Sequence, residues 1–481
     1  MSGLYCFRES EVLPVFIGRE RELRELNARY ASGRFEFVVI YGRRRVGKTA
    51  LIREFIDGKD AIYFMGVESN AGQNLENLSR AVLEPAAGAS FSSFQSALEY
   101  VFQMAEDRRL ILAIDEYPYV ARSEKSLAST LQLLIDRWKD RSRLMLILCG
   151  SSMSYMEDEV LAYRSPLYGR RTAQLKLQPF DFSEVCRALP HFSEEDKAMA
   201  YGMVGGTPQY LLQLNDRLSI EDNIRNTFLD PSSSLYEEPY SLLKQEMREP
   251  AMYNAVITAA ATGASRMSEI SAKVGETTGA CSAYIKNLIS LGILKRELPY
   301  GENSARKAIY RVADNMFRFW YRFVPENMSA IARGAQDPVW RRIRPLLPAY
   351  MGSVFEEICE QYLWKLLAEG RSPVDFTDLG RWWGSDPVLK KQTEIDRMAI
   401  RGTCGLFCEC KWTGEPVDAG VLDTLLHRSR LFPCTETTLY LFSKSGFTSG
   451  CKEQAEKLGH VHLVTYAEIL RELGAAESSP S

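Results

Sequence analysis

The chain of 481 residues has no apolar run that reaches the roughly 18 residues a membrane span requires, so no membrane partner is expected. Its opening stretch, Met1 to Ser10, lacks the basic-then-apolar order of a signal peptide. The 10 cysteines are scattered rather than framed in pairs, which fits a reducing cytoplasm and sets aside a disulfide scaffold. The one cluster, Cys404, Cys408 and Cys410, lacks C-x-x-C spacing and has no histidine nearby, so packed thiols are expected there rather than zinc. Excess positive charge is missing too. A formal net charge of -3 argues against coating nucleic acid by bulk electrostatics, and any such contact would need a local basic face. What remains is ordinary for a globular protein, 46% hydrophobic and 25% charged residues, in a chain too long for one core.

Against that background one run stands out. Gly42-Arg43-Arg44-Arg45-Val46-Gly47-Lys48-Thr49 is a full G-x-x-x-x-G-K-S/T phosphate loop. Gly42 and Gly47 let the backbone curl so that successive N–H groups face one anion. Lys48 supplies a point charge for the β- and γ-phosphates, and the Thr49 hydroxyl suits Mg²⁺. The run Phe37 to Tyr41 before the loop reads as a buried strand, and Ala50 to Phe55 after it starts a helix whose N-terminus favours the phosphate charge. ATP with Mg²⁺ is the expected ligand.

A second apolar run, Leu110 to Ile114, ends in Asp115-Glu116. Downstream of a phosphate loop this is the Walker B arrangement. Asp115 is carried to the strand's carboxyl end to hold the Mg²⁺ shell, and Glu116 orients or deprotonates the attacking water. A third run, Leu144 to Gly150, ends in Ser151-Ser152, placed either to sense the γ-phosphate or to cap the next helix. Apolar runs separated by helical stretches predict an α/β fold with a parallel sheet and its ligands at the carboxyl edge.

Phe16-Ile17-Gly18-Arg19-Glu20-Arg21-Glu22-Leu23 resembles the F-I/V-G-R-x-x-E-L box of AAA+-related STAND-type ATPases, which lies beside the adenine in that group. Leu167-Tyr168-Gly169-Arg170-Arg171 and Gly205-Gly206-Thr207-Pro208-Gln209-Tyr210 resemble the group's later motifs, before and within a helical lid. The resemblance implies that Arg170 or Arg171 approaches the γ-phosphate, in cis or from a neighbouring subunit of a homo-oligomer. A structural ion pair is the alternative.

Residues 250–312 read as three helices and a hairpin, the pattern of a winged helix. The third helix, Thr277 to Leu291, offers only Lys286 as a cation, whereas the wing carries Lys295, Arg296, Arg306, Lys307 and Arg311. Either the wing contacts DNA, or the domain is an internal coupling module. The aromatic stretch Asn315 to Phe323 is expected to pack between domains rather than to stack on bases.

The last segment carries a second constellation. Glu394 to Ile400 and Leu406 to Trp412 are strand-like runs joined by Arg401-Gly402-Thr403-Cys404-Gly405, a hairpin signal. Alternation places Glu394, Asp396 and Met398 on one face of the first strand, and Glu409 with Lys411 on one face of the second. An Asp opposite a Glu-x-Lys suits a metal-dependent phosphodiesterase: two carboxylates hold Mg²⁺ while the lysine orients water or neutralises developing charge. This resembles the PD-(D/E)xK nuclease superfamily, although Glu-Ile-Asp stands where the Pro-Asp of its name would be. A glutamate from a preceding helix is common there, and Glu356 is the better match in Gly352 to Cys359. A charged, solvated hairpin is the plain alternative.

The expected organisation is a P-loop ATPase core over 14–175, a helical lid over 176–245, a winged helix with an aromatic linker helix over 250–325, and a restriction-endonuclease-like α/β domain over 335–472. The whole order resembles prokaryotic ATPases commonly called archaeal-type. Two functions follow as expectations. One is a cytoplasmic ATPase that couples nucleotide state to a DNA-directed, nuclease-like domain. The other is a STAND-type switch whose C-terminal domain binds nucleic acid or protein without cutting.

Overall fold

The apolar runs of the first half lie side by side in one parallel sheet. The computed structural model describes residues 16–83, 90–247 and 249–474. Strands β1 (Glu36–Tyr41), β2 (Ala61–Met65), β3 (Leu110–Asp115), β4 (Leu144–Gly150) and β5 (Ala173–Lys176) are ordered β2-β3-β4-β1-β5, with every neighbour parallel. All residues of β1, β3 and β4 are buried, as parallel strands covered on both faces must be. The helices Phe94–Asp107 and Leu127–Trp138 cover one face, and Glu20–Ala31 and Lys48–Ile56 cover the other. Because β4 lies between β1 and β3, the loop after Tyr41, the Asp115 carboxylate and Ser151 all emerge at one carboxyl edge.

The contacts divide the chain into two units: residues up to Pro179 with Thr207–Gln209, and the remainder from Phe180 onward. In the second unit the helices after Phe182 do not form a core of their own. A single cluster runs from Phe182, Ala198 and Met203 through Val256 and Trp320 to Phe355, Leu406 and Leu470. At its centre is the aromatic helix Asn315–Phe323, with Phe317, Phe319, Trp320, Tyr321 and Phe323 buried and the Trp320 indole N–H donating to the Tyr236 carbonyl at 2.8 Å. These rings are core, not a stacking platform. Gly206 is fixed by close approach: a side chain there would meet the Phe180 backbone, which donates its N–H to the Gly206 carbonyl at 2.7 Å.

Helices Pro250–Ala261, Met267–Val274 and Thr278–Ser290 precede an antiparallel pair, β6 (Leu294–Glu297) and β7 (Ile309–Val312). The turn between these strands is tied to the sheet that follows. Tyr300 donates its N–H to the Arg381 carbonyl at 2.7 Å, and its hydroxyl accepts the Ile400 N–H at 2.8 Å. That sheet holds β8 (Gly380–Asp386), β9 (Lys391–Arg401), β10 (Cys404–Lys411), β11 (Glu436–Ser443) and β12 (Val461–Thr465), in the order β12-β11-β10-β9-β8. β8, β9 and β10 form an antiparallel meander, and β10, β11 and β12 are parallel through the crossover helices Ala419–Ser429 and Ser449–Leu458. The helix Leu347–Ala368 packs its Phe355, Ile358 and Tyr362 into the core shared with Leu406, Cys408 and Phe442.

Candidate functional site

The phosphate loop leaves β1 and turns into the helix Lys48–Ile56. A Cβ on Gly42 would lie 2.6 Å from the Leu177 carbonyl, so only glycine fits. Gly47 has φ 89° and Arg45 has φ 72°, left-handed angles that curl the loop. Lys48 is nearly buried, and its ammonium spans the loop, donating to the Gly42 carbonyl at 2.9 Å and the Arg43 carbonyl at 3.0 Å. Val46 is wholly buried. Arg44 donates to the Tyr119 hydroxyl at 3.0 Å, which links the loop to the helix after β3. Arg19 braces the loop from behind: it is buried in a left-handed conformation and donates to the Val46 carbonyl at 2.9 Å and the Gln178 carbonyl at 2.6 Å.

Asp115 is fully buried at the tip of β3. Its Oδ1 accepts the Glu116 N–H at 2.9 Å. Its Oδ2 accepts two hydroxyls, Thr49 at 2.7 Å and Tyr63 at 2.8 Å. Glu116 has φ 49°, a strained backbone position for a non-glycine residue, of the kind that clusters at reactive sites. Its Oε2 accepts the Ser151 hydroxyl at 2.9 Å and the Ser151 N–H at 3.3 Å. A compact ring of loop, cation, hydroxyl and two acids therefore occupies the carboxyl edge. This donor set fits a nucleoside triphosphate with Mg²⁺: amides and Lys48 for phosphate oxygens, Thr49 and Asp115 for the ion, Glu116 for water.

Arg170 is not brought to this ring. It makes a bidentate pair with Asp136 at 2.9 and 2.6 Å and also donates to the Pro166 carbonyl. Arg171 donates to the Leu161 carbonyl at 3.2 Å, with its guanidinium over the Tyr168 ring.

In the second unit, Cys408 faces Arg397 across the β9–β10 ladder, so Asp396 and Glu409 follow as the next residue of each strand. Both carboxylates are nearly buried. The Cys410 N–H donates to Asp396 Oδ2 at 2.8 Å. Burial, then the negative charges of Glu409 and Glu356, push the Asp396 carboxyl up to about 7. Glu409 accepts Lys411 Nζ on Oε1 at 2.7 Å and Arg428 on Oε2 at 2.9 Å. Burial works against the Lys411 charge, but Glu409 more than offsets it and holds that ammonium above its ordinary range.

Glu356 departs from the expected three-carboxylate set. Arg397, itself nearly buried, takes Glu356 at 3.1 Å and Glu360 at 2.9 Å, so Glu356 faces a cation rather than a shared ion site. Among the described residues no three His, Cys, Asp or Glu side chains are arranged to hold a metal ion. The cysteines Cys404, Cys408 and Cys410 are free thiols, the latter two buried. The cations of the β6–β7 hairpin and its turn are partly committed as well. Lys295 pairs with Glu297 at 2.7 Å, Lys307 with Glu302 at 2.6 Å, and Arg311 lies 3.8 Å from Glu297. Arg296, Arg306 and Lys286 are exposed.

Sequence reasoning missed Tyr63, Tyr119, Arg397 and Arg428. Tyr63, Tyr119 and Arg428 act from elements outside the quoted motifs, and Arg397, although inside the run Glu394 to Ile400, carries no local signal that its partners are Glu356 and Glu360.

A phosphate loop, a buried aspartate bonded to the loop's final threonine, and an adjacent glutamate on the carboxyl edge of a parallel sheet define a P-loop ATPase. Residues 16–214 match the model of an ATPase domain predominantly from Archaea, and residues 320–420 match that of archaeal and bacterial proteins of unknown function. The uncharacterized protein MJECL04 of Methanocaldococcus jannaschii is 33% identical over 403 residues, covering 83% of this chain and 88% of that protein. The chain belongs to the family of that archaeal protein. Among solved structures it is similar to a Walker-type ATPase of Pyrococcus abyssi, at a TM-score of 0.48 and 19% identity over 64% of this chain and 96% of that one. It is also similar to the ORC2 protein of Aeropyrum pernix, at a TM-score of 0.42 and 15% identity over 69% of this chain and 99% of that one. No helix among the described residues is long and apolar enough to cross a membrane.

Proposed function

We propose that this ATPase holds Mg²⁺ on Thr49 and Asp115, activates water through Glu116, and couples its nucleotide state to a nucleic-acid-directed centre on β9 and β10. Arg171 is the better candidate for the cation that meets developing phosphate charge, in cis or from a neighbouring subunit, because Arg170 is committed to Asp136. The three helices with the β6–β7 hairpin read as a winged helix, and residues 335–472 as a nuclease-like domain. In that reading the meander, the preceding helix and the parallel crossover serve to set Asp396, Glu409 and Lys411 on one patch.

One observation carries the nuclease reading: two nearly buried carboxylates on adjacent strands, with a lysine on the second. Their mutual repulsion is costly in a desolvated site, and a bound divalent cation would relieve it with both groups ionised. Such an ion would polarise a phosphodiester, while Lys411 neutralises charge developing on its oxygens. The test is nicking of plasmid, single-stranded DNA and RNA by the full chain, with and without Mg²⁺ and ATP. Metal-dependent cleavage that disappears in Asp396→Asn and Lys411→Ala supports the reading.

A second reading rests on Arg428, which occupies the remaining oxygen of Glu409, and on Arg397, which occupies Glu356. Here the second unit binds nucleic acid or protein without cutting, and ATP controls that binding. Retained binding without any nicking selects it.

A further inference from the structure

The Walker B carboxylate has a partner that belongs to no motif. Asp115 Oδ2 accepts a hydrogen bond from the Tyr63 hydroxyl at 2.8 Å, on the same oxygen that takes the Thr49 hydroxyl. Tyr63 lies on β2, the strand beside β3, where it pairs with Ala113, so it shares a face with Asp115 two residues along. The Arg53 guanidinium, on the helix that follows the phosphate loop, stands 5.5 Å from the centre of the Tyr63 ring and holds it in place.

We propose that Tyr63 is a positioning residue for ATP hydrolysis: it fixes the rotation of the Asp115 carboxylate and thereby the affinity of the site for Mg²⁺ bound with ATP. The inference rests on the assignment of Thr49 and Asp115 to that ion. The chemistry is that of an outer donor orienting a metal-binding carboxylate. Thr49 has a second duty, since its oxygen is a ligand for the cation and its hydrogen bond to Asp115 must adapt when that ligand is used. The Tyr63 hydroxyl has no such duty and keeps Asp115 aimed in both situations. A tyrosine phenol is protonated at neutral pH, so the hydroxyl remains a donor. With Glu116 N–H on Oδ1 and Tyr63 on Oδ2, the carboxylate is pinned at both ends before any ligand arrives.

The test uses the full chain and Tyr63→Phe, which removes only the hydroxyl from a partly exposed ring. Calorimetry with a non-hydrolysable ATP analogue is run in EDTA and across a Mg²⁺ titration, beside ATP turnover over the same titration and a thermal melt. The expected result is a Mg²⁺ requirement shifted upward by about 10-fold in both binding and turnover, the lower end for loss of an outer partner of a metal ligand. Analogue binding in EDTA and the melt should stay at parent values. Equal Mg²⁺ requirements in the two proteins overturn the role of Tyr63. So does a loss of the same size in EDTA and in Mg²⁺, which marks a purely structural effect. A parent protein whose nucleotide binding and turnover ignore Mg²⁺ overturns the underlying metal assignment instead, and the parent arm alone reveals it.

Discussion

Glu116 and Ser151 are joined across the carboxyl edge of the first sheet, the serine hydroxyl donating a hydrogen bond to Glu116 Oε2 at 2.9 Å. The acid proposed to activate water is thus held by the tip of β4. Ser151→Ala removes that restraint and should lower ATP turnover by roughly 10-fold, the cost of one hydrogen bond to a charged group, with nucleotide affinity kept. Phosphate release and calorimetry on the same preparation check both halves.

Lys48→Ala should abolish ATP binding, because it removes the counter-charge for the phosphates, an ammonium held at the loop by the Gly42 and Arg43 carbonyls. Glu116→Gln should bind ATP normally and lose hydrolysis by ~10²–10⁴-fold, the contribution of a positioned base. Its amide oxygen still accepts from Ser151, so the site geometry persists. Parent-rate hydrolysis in Glu116→Gln would remove Glu116 from the mechanism.

Arg170 and Asp136 form a partly exposed pair, which limits its contribution to about 0.5–1 kcal/mol. Each alanine substitution and the double variant should give one shared stability loss in a double-mutant cycle, with turnover unchanged. Arg171→Ala should instead slow turnover with affinity intact. A turnover loss in Arg170→Ala that Asp136→Ala does not reproduce would return the transition-state role to Arg170.

Metal binding at Asp396 is best measured in full-chain Lys48→Ala, where the nucleotide site is silenced. Mg²⁺ or Mn²⁺ should raise the melting temperature, since a ligand that binds only the folded state stabilises it. Asp396→Asn should remove the rise, and Lys411→Ala should keep it while ending any nicking. No metal response in the Lys48→Ala protein would leave only the non-cutting reading.

For nucleic-acid binding, Lys307→Ala and Lys295→Ala should change little, because both ammonium groups already pair with glutamates. Arg296→Glu and Arg306→Glu should weaken binding and flatten its dependence on salt, as fewer phosphate contacts release fewer counterions. Fluorescence anisotropy over a salt series separates the two sets.

Much of the first site was legible because its chemistry is local. The loop, Asp115-Glu116 and Ser151 each sit within a contiguous run, and the three runs converge once parallel strands are assumed. Arg19 lay inside a recognised box, yet its bonds to Val46 and Gln178 depend on chain segments that only the fold brings together. Tyr63 was illegible for a different reason: an aromatic residue in a strand has an ordinary packing explanation. On β9 and β10 alternation singled out Asp396, Glu409 and Lys411, although the β8–β9 register shifts between Ile395 and Met398. Alternation could not show that Arg397, one residue on, takes Glu356 on the helix Leu347–Ala368. The expected lid was read from its helices alone, and helical periodicity says nothing about which core those helices join.

Tyr300 sets an order of events during synthesis. Its hydroxyl partner Ile400 lies 100 residues further along the chain, and its N–H acceptor Arg381 is also made later. At ~5–20 residues per second a ribosome needs roughly 5–20 s to deliver that stretch. The β6–β7 hairpin therefore waits with its turn unanchored until β8 and β9 exist. Once they do, its closure onto the sheet records that the C-terminal segment has folded, and a nascent chain halted before residue 380 should remain open to protease at that turn.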